Sequence, residues 1–137
     1  MTTLLSIEQL FTLFSSLNTW QDRYRQIIQL AKTMPTYPEH ARITENQIQG
    51  CENSVWLTFD KNPQDQFYFY GDSEGRIVKG LMAIILILAN GKSASEIAET
   101  DFLAVLKDLK IINELSESRQ SGVKNIIDKI KELVLHN

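Results

Sequence analysis

Apolar residues in the first quarter of the chain recur at helical spacing. Ile7, Leu10, Phe11, Phe14 and Leu17 fall three or four residues apart, behind a capping box made by Ser6 and Gln9. A second helix is predicted from near Thr19, with Trp20, Tyr24, Ile27, Ile28 and Ala31 turned inward. It has to stop before Pro35, and Pro38 keeps the next stretch extended. A short Leu-Asn-Thr turn makes the two helices antiparallel neighbours.

The period then changes to two. Val55, Leu57 and Phe59 alternate with Trp56 and Thr58, and Phe67 and Phe69 alternate with Tyr68 and Tyr70. Turn formers fill Asp60 to Asp65 between them, which predicts a β-hairpin. A further strand is expected over Ile43 to Ile48, although Glu45, Asn46 and Gln47 make it polar.

Helical spacing returns after Gly71-Asp72-Ser73, with Asp72 or Ser73 as N-cap. Ile77, Val78, Leu81, Ile84, Ile85 and Leu88 leave little polar face, so this helix belongs in the core. Asn90-Gly91 closes it. Ser93 and Glu96 make a second capping box, and Phe102, Val105, Leu106 and Leu109 predict a short helix after Asp101. The last helix is expected from about Ser118, with Val123, Ile126, Ile127, Ile130, Leu133 and Val134 on one face. Repeats, low-complexity stretches and linkers are absent. Residues 1–137 read as one α+β domain: helices flanking a small antiparallel sheet of about three strands.

Composition narrows the function. The 137 residues suffice for a core without disulfide or metal staples. A net charge of -3 argues against a nucleic-acid binder, since Asp128 and Glu132 lie among Lys124, Lys129 and Lys131 on the last helix. One cysteine excludes an internal disulfide. The N-terminus has no basic run and meets Glu8 too early for a signal peptide. The most apolar run, Leu81 to Ala89, has nine residues against the roughly 20 a bilayer requires. A cytoplasmic protein with no membrane and no nucleic-acid partner is expected.

A lone intracellular cysteine is by default a small buried hydrophobe. Cys51 departs from that default because it sits in a polar corner, between Gln49-Gly50 and Glu52-Asn53, where a chain turns at a surface. Gly50 permits backbone angles or close approaches that a side chain blocks. Hydrolysis would need a base beside the thiol, and the only histidines are His40 and the penultimate His136. With no neighbouring cation in sequence, and with Glu52 next to it, the thiol should titrate above about 8.5. That suits an acceptor of an already electrophilic sulfur better than a hydrolytic nucleophile. One Cys and two distant His do not make a four-ligand metal set. The Gly71-Asp-Ser-Glu-Gly-Arg76 segment follows a strand and opens a helix but lacks phosphate-loop spacing.

Three stretches together resemble the SufE family: Asn46-Gln-Ile-Gln-Gly-Cys51-Glu-Asn-Ser-Val-Trp56, Gly71-Asp-Ser-Glu-Gly-Arg-Ile-Val-Lys-Gly-Leu81, and Leu115-Ser-Glu-Ser-Arg-Gln-Ser-Gly122. The likeness covers nearly the whole chain, including Trp20-x-x-Arg23-Tyr24, and is greatest to the CsdE branch. Asn53 stands where SufE itself has Ser, and the last motif ends Arg-Gln-Ser-Gly where many members have Arg-Ser-Gln-Gly. The resemblance implies a SufE/IscU-like fold. It implies that Cys51 accepts persulfide sulfur from a pyridoxal-phosphate cysteine desulfurase of the SufS or CsdA kind, stimulating it. It further implies that the sulfur passes to iron–sulfur cluster assembly or another acceptor, and that the cofactor resides in the desulfurase while this chain binds none. Gly50, Asp72 and Arg119 are the supporting candidates, with Arg119 bracing the Cys51 loop by hydrogen bonds. A monomer or weak homodimer is expected. The alternative is a binding module that modulates a desulfurase or scaffold without carrying sulfur.

Overall fold

The structure, a computed structural model, describes residues 3–51 and 53–137. Helices α1 (Ile7–Ser15) and α2 (Trp20–Ala31) begin where their caps dictate. The Ser6 hydroxyl accepts from the Gln9 N–H while the Gln9 side-chain oxygen accepts from the Ser6 N–H, and Thr19 accepts from the Asp22 N–H. Leu10 and Phe14 are the buried positions of α1, whereas Phe11 is exposed, so the inward face is narrower than its periodicity suggested. Two 3₁₀ turns follow, Glu39–Ala41 and Thr44–Asn46.

Strands β1 (Val55–Lys61) and β2 (Phe67–Ser73) form an antiparallel hairpin in register from Val55↔Ser73 to Lys61↔Phe67. The Asn62 side chain shapes its loop by accepting from the N–H groups of Gln64 and Gln66. The strand expected over Ile43 to Ile48 is reduced to one bridge, Gln47↔Trp56. The Asn46 amide donates to the Ala41 carbonyl at 2.9 Å, and this local bond closes a turn where a ladder would need extended backbone. The architecture is α+β with two strands.

Helix α3 (Arg76–Ala89) occupies the centre. Every residue from Gly80 to Ala89 is buried, with α2 on one side and β2 on another, and α6 and α1 completing the enclosure. Asp72 and Ser73 do not cap it. The N-cap position is Gly75, without a side-chain bond, because Asp72 lies inside β2 and is engaged elsewhere. Asn90 ends the helix and ties it back to the hairpin, its side-chain oxygen accepting from the Phe69 N–H at 2.8 Å. Helices α4 (Ala94–Glu99), capped by the Ser93–Glu96 box, and α5 (Phe102–Asp108), capped by Asp101, follow. A 3₁₀ turn at Ile112–Glu114 leads into α6 (Glu117–His136), which Ser116 caps. None of the described helices is long and apolar enough to cross a membrane.

The α2–α3 contact is close because Gly80 has no side chain: a Cβ there would run into the Ile27 carbonyl. Alanine favours a helix interior by about 1 kcal/mol over glycine. Overpacking against immovable backbone costs about 1–3 kcal/mol, and here it wins. Gly80→Ala is expected to lower the urea midpoint, against the direction set by helix propensity.

Candidate functional site

Cys51 sits on the loop joining the second 3₁₀ turn to β1. The loop is closed at its base, where the Ile48 N–H donates to the Val55 carbonyl at 2.8 Å beside the Gln47↔Trp56 bridge. It leans on the start of α3: the Glu74 N–H donates to the Ser54 carbonyl, and the Asn53 amide lies over Gly75, where a Cβ would approach it to 2.6 Å. Gly50 adopts φ +83°, the left-handed region where glycine alone is unstrained.

Helix α6 packs against the loop from another side. Asn125 donates through Nδ2 to the Gly50 carbonyl at 3.2 Å, linking positions 75 residues apart. One turn earlier, buried Gly122 faces the thiol, and a Cβ at that position would stand 4.0 Å from Cys51 Sγ. The sulfur is half-buried, in a recess of about 170 Å³ bounded by loop residues that include Gln47, Gln49, Asn53 and Ser54. Burial pushes the Cys51 thiol up from its ordinary pKa, and the Asn125 amide only partly counters this. No ammonium or guanidinium among the described residues enters the balance. Glu52, expected to raise the thiol further, lies outside the described residues.

A second cluster braces the segment from which the loop departs. The Arg42 guanidinium lies over the rings of Trp56 and Tyr37, 4.7 and 5.1 Å from their centroids. It donates to Asp72 Oδ2 at 2.8 Å, and Lys79 approaches the other oxygen at 3.3 Å. Burial alone would raise the Asp72 carboxyl, but the Arg42 bond, Lys79 and the Ser73 N–H outweigh it and hold it below the ordinary carboxylate range. Asp72 pairs with Trp56 across the hairpin. Its carboxylate therefore fastens the 3₁₀ segment to the sheet; it does not line the recess.

Of the expected residues, Gly50 and Cys51 lie side by side on the loop, Asp72 acts through Arg42 and Trp56, and Arg119 shows no side-chain bond to the loop among the described residues. Half-buried at the start of α6, Arg119 bonds only through its backbone N–H, to the Ser116 hydroxyl, among the described residues. Among the described residues, the side-chain bond from α6 to the loop comes from Asn125. Gly122 and Asn125 are one helical turn apart on one face, a spacing that extends the third motif toward the missed residue. His40 and His136 are both exposed, and neither borders the recess. Among the described residues no three His, Cys, Asp or Glu side chains are grouped to hold a metal ion.

Residues 8–134 match the SufE family, described as an Fe-S metabolism associated domain. The chain belongs to the SufE family. It is 38% identical over 128 residues to the sulfur acceptor protein CsdE of Escherichia coli (strain K12), covering 93% of this chain and 87% of that protein. A SufE-like protein of Rhizobium meliloti (strain 1021) is 39% identical over 129 residues, covering 92% of each. The cysteine desulfuration protein SufE of Wigglesworthia glossinidia brevipalpis is 38% identical over 119 residues, 87% of this chain and 83% of that one. These relatives place the chain on the CsdE branch of the SufE family. A solution structure of a protein from Thermus thermophilus superposes with a TM-score of 0.71 at 16% identity, over 94% of this chain and 93% of that one, and shares the fold.

The thiol's titration follows from its burial. Only the thiolate is alkylated, so a raised pKa moves the rate-against-pH curve to higher pH. For the folded protein, iodoacetamide labelling of Cys51 should reach half its maximal rate at a higher pH than in urea, where burial is gone. Coincident midpoints would show that the loop does not shield the sulfur.

Proposed function

We propose that this protein accepts sulfur from a pyridoxal-phosphate cysteine desulfurase onto Cys51, carries it as a persulfide and stimulates the desulfurase by relieving it of sulfur. The observation carrying this reading is the placement of Cys51: a lone thiol on a closed surface loop, half-covered, with Sγ facing Gly122 of α6, where no side chain stands against it. The names of the CsdE and SufE relatives, sulfur acceptor and cysteine desulfuration proteins, support the same chemistry.

The step is a thiol–disulfide exchange in form. The Cys51 thiolate attacks the terminal sulfur of the partner's protonated persulfide. A new S–S bond forms at Cys51, the partner's S–S bond breaks, and the desulfurase cysteine leaves as a thiolate; the proton stays on the transferred sulfur. No net oxidation occurs, so the step requires no redox partner. Pyridoxal phosphate belongs to the desulfurase and this chain carries no cofactor of its own. The sulfur then goes to iron–sulfur cluster assembly or to another thiol acceptor.

The raised thiol pKa and partial cover make the free protein a slow nucleophile toward small oxidants. Docking must therefore expose the sulfur, and among the described residues the Asn125–Gly50 bond is a tether that docking has to loosen. Desulfurase turnover with cysteine and a reductant separates this reading from a modulating module. With Cys51→Ser, stimulation should fall to the rate of the desulfurase alone while the folded variant still binds. Undiminished stimulation by the serine variant would make the protein a modulator.

A further inference from the structure

Away from the Cys51 recess, the turn between α1 and α2 meets the end of α5 around a cavity of about 200 Å³. Arg23 lines it and is itself only 8% exposed. A guanidinium is charged at every accessible pH and offers five donors. One of these is used: Nη1 donates to the Leu17 carbonyl at 3.1 Å. Nε is buried without any hydrogen-bond partner among the described residues, and no carboxylate pairs with the group there. Asp108 shares the cavity wall but forms no ion pair with Arg23. A buried cation left in this state is costly unless an anion meets it.

Lys110 adds an independent sign. It borders the same cavity and has φ +61°, at the left-handed position that ends α5 and that glycine or asparagine fills without strain. A lysine there accepts backbone strain and adds a second cationic residue to the cavity lining. Phe11, Phe14 and Leu109 give part of the wall an apolar surface, alongside the polar Ser15, Asn18 and Asp108.

We propose that this cavity is a binding site for a small organic carboxylate, whose two oxygens face the Arg23 fork while a short apolar tail lies against the phenylalanines. Arg23 is the anchor because its planar donors match a carboxylate in pairs, and Lys110 adds attraction without geometry. The cavity shares no lining residue with the Cys51 recess, so the proposal stands apart from the sulfur-transfer reading.

Sodium propionate titrated into the full chain at constant ionic strength, followed by amide NMR, tests it. Saturable shifts are expected at Leu17, Asn18, Leu109 and Lys110. Arg23→Lys keeps the charge but loses the fork, and should weaken binding by about tenfold. Lys110→Gly relieves the left-handed strain, so the variant should be at least as stable as the parent and still bind more weakly. That combination is not what a purely structural lysine would give. Absence of saturation, unchanged affinity in both variants, or equal binding of sulfate would each overturn the assignment.

Discussion

Helix α3 can exist only if other elements enclose it, because a helix with every residue from Gly80 to Ala89 buried has no surface to give to water. The rest of the molecule answers that demand. Helix α2 closes to backbone contact at Gly80, the hairpin lays Phe67 and Phe69 inward, and α6 brings Val123, Ile126 and Ile130 against the other side. Once α3 is enclosed, its first residues become a fixed platform, and the Cys51 loop leans on that platform through Asn53 and Ser54.

The site follows from how the described residues hold this loop. Its base is bonded to β1, one side leans on α3, and one amide reaches it from α6. No helix or strand carries Cys51 itself. A thiol so placed is covered without being locked in the core, an arrangement suited to a nucleophile that stays quiet alone and is exposed by a partner. The Arg42–Asp72–Lys79 cluster, stacked on Trp56, keeps the segment before the loop in register with the hairpin. It shapes the site from behind.

Features governed by neighbours in sequence were legible from the residues. The Ser6–Gln9 and Ser93–Glu96 boxes need only residues three apart, and both are present in the structure; the helices expected from near Thr19 and after Asp101 start there, each with that residue as its cap. The hairpin and the buried α3 were equally readable from period and composition. Where tertiary partners compete, local reading fails. Asp72 has the chemistry of an N-cap, but Arg42, thirty residues earlier in the chain, draws its carboxylate into a stronger bond. The polar Ile43 to Ile48 segment turns back to Ala41 through Asn46 and pairs with the hairpin only at Gln47. Cys51 and Gly50 were visible as an unusual polar corner, whereas Asn125 reaches Gly50 only after α6 has packed, so no local pattern announces it.

The proposed residence of sulfur on Cys51 can be read by intact and peptide mass spectrometry after incubation with an active cysteine desulfurase and cysteine. A carrier thiol gains the mass of one sulfur atom, mapped to the peptide containing Cys51 and removed by a thiol reductant. A desulfurase that turns over and releases sulfide while this protein keeps its unmodified mass would contradict it.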